Sequence, residues 1–239
     1  MPDPSAPAIH IRDVQKDYRA LRPLRVRELQ VREGEAVALL GFDRAAAEVF
    51  VNLLTAATIP DIGSIEIFGR PTVDIQDGAV WLSSLDCFGI VSERQVLLDN
   101  MTVEENLTIP LTMSLHDVDS AVRTKVAAVA QEVGLSSDQL QRPVAVLSTE
   151  SRLRVRLGRA LAPDPRILLS EHPNASLDAG DVARFAVEYA HLVRQRGVTS
   201  VVLTADTAFA SAVAQRVFTL QPATGELKPL SAWRRMFPL

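Results

Sequence analysis

The run Pro165-Arg166-Ile167-Leu168-Leu169-Ser170-Glu171-His172-Pro173-Asn174 constrains this chain more than any other stretch. Ile167 to Leu169 form a short apolar block of β type, an acid follows at Glu171, and a Pro-Asn turn closes the block. Apolarity without alternation marks a strand buried on both faces, and such strands belong to parallel sheets covered by helices. Ligands of these sheets meet the carboxyl ends of the strands, so Glu171 stands where a crevice is expected.

The same logic organises the rest. Ala36 to Leu40 is a second apolar strand, followed by Gly41-Phe42-Asp43-Arg44-Ala45-Ala46-Ala47-Glu48 and a helical pattern reaching about Ala57. Ser200 to Leu203 is a third strand. Short strands, Ser64 to Phe68 among them, fill residues 9–88; residues 89–162 read as mostly helical, with Ser120 to Val133 amphipathic; strand and helix alternate over 163–220. Thr102 and Glu105 have the spacing of a capping box.

With Pro173, Ser176, Leu177 and Asp178 in place, the first run resembles the ATP-binding cassette (ABC) family. That resemblance implies a P-loop NTPase-like α/β cassette with an inserted mostly helical lobe and a β-rich N-terminal region. It also implies a site, and there this chain departs from the pattern. Glu171 stands at the family's magnesium-binding Asp and His172 at its general-base Glu; these two are the only catalytic candidates, with Glu171 the only metal candidate. Of the phosphate-loop pattern G-x-x-x-x-G-K-[ST] only Gly41 remains: Ala46 replaces the second glycine, Ala47 the lysine and Glu48 the hydroxyl residue, while Arg44 is the one base left in the loop. Glu93 occupies the glutamine-loop position, with Gln95 two residues away. Leu147-Ser148-Thr149-Glu150-Ser151 replaces the signature Leu-Ser-Gly-Gly-Gln, leaving Ser148 suited to its role and placing bulk and negative charge at the subunit contact. Ala205 replaces the switch histidine and has no donor. Tyr18 falls where the family stacks an aromatic on adenine, although a lone Tyr after a strand is more often edge packing, and Asp178 falls at the subunit interface.

Loss of the lysine and gain of Glu48 make this pocket about two charges more negative than the family pattern. At an effective dielectric of ~20, each charge ~4 Å from a phosphate matters by roughly 4 kcal/mol before screening. Two readings of Asp43 and Glu48 stand open: solvated first-turn acids, or an internal substitute for phosphate at the helix N-terminus. Either way no cofactor is expected, and ATP with magnesium only if residual binding persists.

The losses fall on chemistry, whereas strand patterns, turns and caps persist. The expected function is accordingly a degenerate ABC transporter ATP-binding subunit, structural or regulatory and non-hydrolysing, in a membrane transport complex. Alternatives are an atypical ABC ATPase of weak activity and a soluble ABC-like scaffold. The resemblance implies transmembrane permease subunits as partners and a homodimer or a heterodimer with another ABC subunit, whose two head-to-tail sites would suffer from Ala47 and Glu150. Arg152, Arg154, Arg156 and Arg159 scatter around their helix axis and the net charge is −4, so no nucleic-acid partner is expected. Cys87 is alone, and no apolar run approaches the ~20 residues of a membrane span. These point to a cytoplasmic chain, peripheral at the inner membrane face. The expected layout is a flexible N-terminus (1–8), a single cassette domain (9–232, helical lobe about 89–162) and a C-terminal tail (233–239) that either docks or packs on itself.

Overall fold

The structure is a computed structural model and describes residues 7–75, 77–112 and 117–230. The tail 233–239 and most of the N-terminal segment 1–8 lie outside the described residues. From its start the chain forms β1 (Ile9–Lys16), β2 (Leu24–Val31), β3 (Ala36–Leu40), α1 (Arg44–Leu54), the hairpin β4 (Ile62–Ile67) and β5 (Arg70–Pro71), a 3-10 turn (Thr72–Asp74), α2 (Gly78–Leu85) and β6 (Phe88–Val91). Helices α3 (Val103–Thr108), α4 (Ser120–Glu132), α5 (Ser137–Leu140) and α6 (Thr149–Leu161) follow. The remainder alternates as β7 (Ile167–Glu171), α7 (Ala179–Arg196), β8 (Thr199–Leu203), α8 (Thr207–Val213), β9 (Arg216–Gln221) and β10 (Glu226–Pro229). The stretch read as helical from residue 89 thus opens with a strand, β6, and becomes helical only after it.

Two sheets result. The smaller is antiparallel, in the order β2-β1-β4-β5; the larger runs β10-β9-β3-β8-β7-β6, parallel except at β10. Helix α1 lies between them. Its apolar stripe Ala46, Ala47, Phe50, Val51, Leu53 and Leu54 is buried in one core together with Ile9, Ile11 and Val26 of the small sheet. Val37 and Leu39 of β3 join the same core, while Ala36, Ala38 and Leu40 face a second core built with α3, α4, α6, α7 and α8. β7 and β8 split their residues in the same way, which is why these strands carry no polar face.

Local chemistry sets the ends. The Thr102 side chain accepts from Glu105 N while Glu105 accepts from Thr102 N at 2.8 Å, completing the capping box that starts α3. α1 stops at Leu54, short of the expected Ala57, because Thr55 turns its hydroxyl back to Val51 O at 3.0 Å and Ala56 adopts φ 55°.

One buried hydrogen-bond group holds the site strand in place. The phenol of Tyr189, on α7, contacts Ser170 Oγ of β7 at 2.9 Å and Ser200 Oγ of β8 at 3.0 Å. All three residues are essentially sealed from solvent, and burial pushes the phenol pKa up despite both serines. Ser170 immediately precedes Glu171, so this contact fixes the strand end from behind. Tyr189→Phe leaves two buried hydroxyls short of a partner and is expected to cost about 1–3 kcal/mol, measured as a lower urea midpoint at unchanged m-value.

Candidate functional site

The turn after β3 has three residues, Gly41, Phe42 and Asp43, before α1 begins at Arg44. Gly41 has φ 87°, and a Cβ there would lie 3.0 Å from Leu220 O, so the turn admits only glycine at this point. Phe42 is buried with its ring 5.1 Å from that of Phe50. Asp43 caps the helix: its Oδ1 accepts from Ala46 N at 2.7 Å and its carbonyl from Ala47 N at 2.9 Å. The carboxylate therefore occupies one N–H group, that of Ala46, which a phosphate-binding turn would offer to an anion.

Starting the helix at Arg44 also sets which way its residues face. Ala46 (6 % exposed) and Ala47 (0 %) sit in the core stripe and do not line the pocket expected of them. Positions 44, 45 and 48 turn the other way, and Arg44, Ala45 and Glu48 form one wall of a cavity of about 310 Å³. Its opposite wall is Ser92, Glu93 and Arg94 after β6, with Glu171 and His172 at the end of β7.

The centre of this cavity is an ion cluster. Glu171 is 7 % exposed. It accepts from Ser92 Oγ at 2.7 Å, from Arg94 Nε at 3.0 Å and from Arg94 Nη2. The two nitrogens of Arg94 meet the two carboxylate oxygens in a fork. The third, Nη1, reaches Glu48 Oε1 at 3.2 Å, and Arg94 N is steadied by Ser92 Oγ at 3.2 Å. Hydrogen bonding to Glu171 holds the guanidinium pKa above its ordinary value, with burial working in the opposite direction. Glu93 pairs instead with Arg44 at 3.5 Å, on the exposed rim. Three carboxylates and two guanidiniums thus share the cavity, one negative charge in excess.

His172 joins the wall with φ 45°, its N–H donating to Leu203 O at 2.7 Å. Its Nε2 is buried and has no hydrogen-bond partner among the described residues. A general base needs one nitrogen held by an orienting partner, and Nε2 has none among the described residues.

The remaining sequence candidates lie apart from this cavity. Tyr18 is half-buried on the small-sheet side; burial, and then the charge of Asp43, push its phenol pKa up. Ala205 is exposed between Thr204, which bonds Asn174 at 2.9 Å, and Asp206, which caps α8. Ser148 caps α6 through Ser151 N at 3.2 Å, and Asp178 is exposed at the start of α7. Glu150 departs from the expectation of a charge presented at the surface. It folds back onto Arg154 (2.7 Å) and Arg184 (2.8 Å), with Arg154 held further by Glu188 and by Val133 O. Its charge is neutralised within its own chain.

Arg94 and Ser92 are the site residues that motif matching passed over. The signal was present nonetheless: with acids at both 48 and 171 and no lysine at 47, a cation was owed to the pocket, and Arg94 adjoins the glutamine-loop position.

A family described as "ABC transporter" matches residues 24–175. Sulfate/thiosulfate import ATP-binding protein CysA of Pseudomonas aeruginosa is 32 % identical over 219 residues, covering 89 % of this chain and 64 % of that protein. Ribose import ATP-binding protein RbsA 2 of Streptomyces avermitilis is 28 % identical over 225 residues, 90 % of this chain and 42 % of that protein. This chain spans about half the length of the curated relatives it matches. Among solved structures, a dimeric bacterial ABC transporter cassette superposes with TM-score 0.77 at 23 % identity, covering 94 % of this chain and 99 % of that one. CbiO1 from Clostridium perfringens, part of an ABC transporter complex, gives 0.81 at 18 %, covering 98 % and 91 %. At these identities the likeness shows the fold.

The α6–α7 ion network makes a pH prediction. Burial alone would raise the Glu150 pKa, but its bonds to Arg154 and Arg184 outweigh this and hold it below the ordinary 4.5. A depressed folded pKa contributes stability that is present above 4.5 and lost as pH falls through the lower folded value. Glu150→Gln is therefore expected to destabilise at pH 7, with the gap from wild type closing as unfolding is repeated below about pH 4.

Proposed function

The chain belongs to the ABC transporter family, and we propose that within it this protein is a cassette subunit that does not hydrolyse ATP, its magnesium position filled from within by Arg94. The observation that carries this reading is the guanidinium shared between Glu171 and Glu48. In the family pattern those two positions hold the magnesium-binding Asp and the hydroxyl residue of the phosphate loop. Here a protein cation lies between them.

Magnesium nucleotide does not fit the residues present. Both oxygens of Glu171 are engaged by Arg94, so a metal would have to expel a forked, partly buried guanidinium. The Asp43 carboxylate already accepts from Ala46 N at the start of the helix, and the lysine position points into the core. A triphosphate would add several negative charges to a cavity that already has one in excess, at roughly 4 kcal/mol for each close like-charge pair at an effective dielectric of ~20. Asp43 and Glu48 thus act as two internal substitutes, Asp43 for phosphate at the helix and Glu48 for a metal ligand that now binds arginine.

On this reading the subunit serves its complex by shape. It would pair head to tail with another cassette and dock on permease subunits at the inner face of the membrane. No described helix is long and apolar enough to cross a membrane, so the membrane part would come from those partners. The import systems named for the relatives support a role in import, and their differing substrates, sulfate and ribose, leave none assigned. The competing reading, a weak ATPase, requires Arg94 to leave the pocket and His172 to gain an orienting contact.

Titration calorimetry with ATP and magnesium decides between them. The expected result is no saturable heat, meaning a dissociation constant weaker than about 1 mM, with no release of phosphate above background. A low-micromolar constant would overturn the proposal. Arg94→Ala is expected to lose roughly 2 kcal/mol of stability at neutral pH, because Glu171 is left buried without its cation. The same variant should gain weak manganese binding, read by paramagnetic broadening, that wild type lacks.

A further inference from the structure

A second cavity, of about 500 Å³, lies away from the ion cluster, between the C-terminal end of α1, the β4–β5 hairpin, the 3-10 turn and α2. Its character is opposite to that of the first. Leu54, Ile67, Phe68, Ile75 and Phe88 supply its large apolar side chains, Thr55, Thr72, Ser83 and Ser84 its hydroxyls, and Arg70 is its only charged residue among the described ones. The volume lies within the range of small-molecule sites.

Three observations point to a ligand. Thr72 lines the cavity at 1 % exposure, and its Oγ1 is buried with no hydrogen-bond partner among the described residues. A buried hydroxyl left unpaired is costly, and threonine reaches a new partner by a single χ1 change. Secondly, α2 (Gly-Ala-Val-Trp-Leu-Ser-Ser-Leu) buries none of its residues and presents Ser83 and Ser84 to the cavity, its exposed Val80 and Leu82 lying off the wall. Trp81 ties the helix to the end of α1 through Nε1 and Thr55 O at 3.0 Å, so α2 borders the cavity without closing it. Thirdly, two non-glycine residues of the wall, Ala56 (φ 55°) and Phe68 (φ 49°), hold left-handed backbone, a strain that sites tolerate when their surroundings impose it. Cys87 agrees: burial chiefly pushes its thiol up to about 11, so the cavity disfavours charge.

We infer that this cavity binds a small uncharged molecule with a hydrocarbon or aromatic body and one hydrogen-bonding group directed to Thr72. Apolar walls take the body, and the hydroxyl takes or gives the one polar bond. A carboxylate is disfavoured against the large apolar side chains of the wall, Arg70 being the one cation among the described lining residues. The cavity shares two elements with the ion cluster: α1 carries Leu54 at one end and Glu48 nearer the other, and β6 runs from Phe88 toward Ser92 and Arg94. The assignment stands apart from the nucleotide question, since none of its groups belongs to the Arg94 cluster.

The test is fluorescence titration of the full chain with N-phenyl-1-naphthylamine, an uncharged aromatic with one N–H, followed by competition with octan-1-ol and with octanoate. The expected result is saturation at one site per chain, displacement by octan-1-ol and none by octanoate. Ser84→Phe fills the cavity and should weaken the probe at least about tenfold, and Thr72→Val should weaken octan-1-ol about fivefold, the effect of one neutral hydrogen bond. Probe brightening that never saturates, or equal displacement by octanoate, would overturn the assignment. So would wild-type octan-1-ol affinity in Thr72→Val, a near-isosteric change that remains informative if circular dichroism shows Ser84→Phe unfolded.

Discussion

The Arg94 guanidinium, forked onto Glu171 and reaching Glu48, is the contact on which the functional region depends. It joins three segments far apart in sequence: the first helix, the loop after β6 and the end of β7. A carboxylate 7 % exposed at the end of a strand of the large sheet needs a compensating charge, and a metal ion or an arginine can supply it. Supplying it from the chain makes the pocket self-sufficient. It also couples the pocket to folding, because the cluster assembles only when both the small sheet with α1 and the large sheet with β7 are in place.

Backbone geometry works in the same direction as the charges. A phosphate loop must leave its N–H groups unspent, and a helix that begins at Arg44 under the Asp43 cap spends that of Ala46 on the capping carboxylate. Once wound from that point, the helix turns Ala46 and Ala47 toward Phe50 and the strands, and Glu48 toward Arg94. Lysine at 47 would bring an ammonium into an apolar core, so the alanine is as much a packing residue as a missing catalyst. The α6 helix shows the parallel case: Glu150 stands where the family has a glycine of the signature, yet it serves Arg154 and Arg184 in an internal network.

Much of the fold was legible beforehand. Ile167 to Leu169, Ala36 to Leu40 and Ser200 to Leu203 announced strands buried on both faces, and Thr102 with Glu105 announced a helix start; burial and capping are local properties that spacing records. The site was legible as a set of departures from a pattern. Which partners the new side chains would find was not, and Ala46 and Ala47 were placed at the pocket because matching by position assumes that the loop keeps its shape. The apolar cavity beside α2 left no mark at all, since a void depends on how far elements stand apart rather than on which residues they contain.

By itself the sequence determined the α/β alternation, the two-faced strands, the helix caps and the loss of the lysine, the glycines and the switch histidine. All of these are settled by residue identity over a few consecutive positions. Only the tertiary structure decided that Arg94 neutralises Glu171 across 77 residues and Glu48 on another element, that Glu150 is paired within its chain, and that Thr72 lines a cavity with its hydroxyl unspent. The physical reason is range: periodicity and propensity act between near neighbours, whereas charge pairing and enclosure depend on the distances that packing sets between segments remote in the chain.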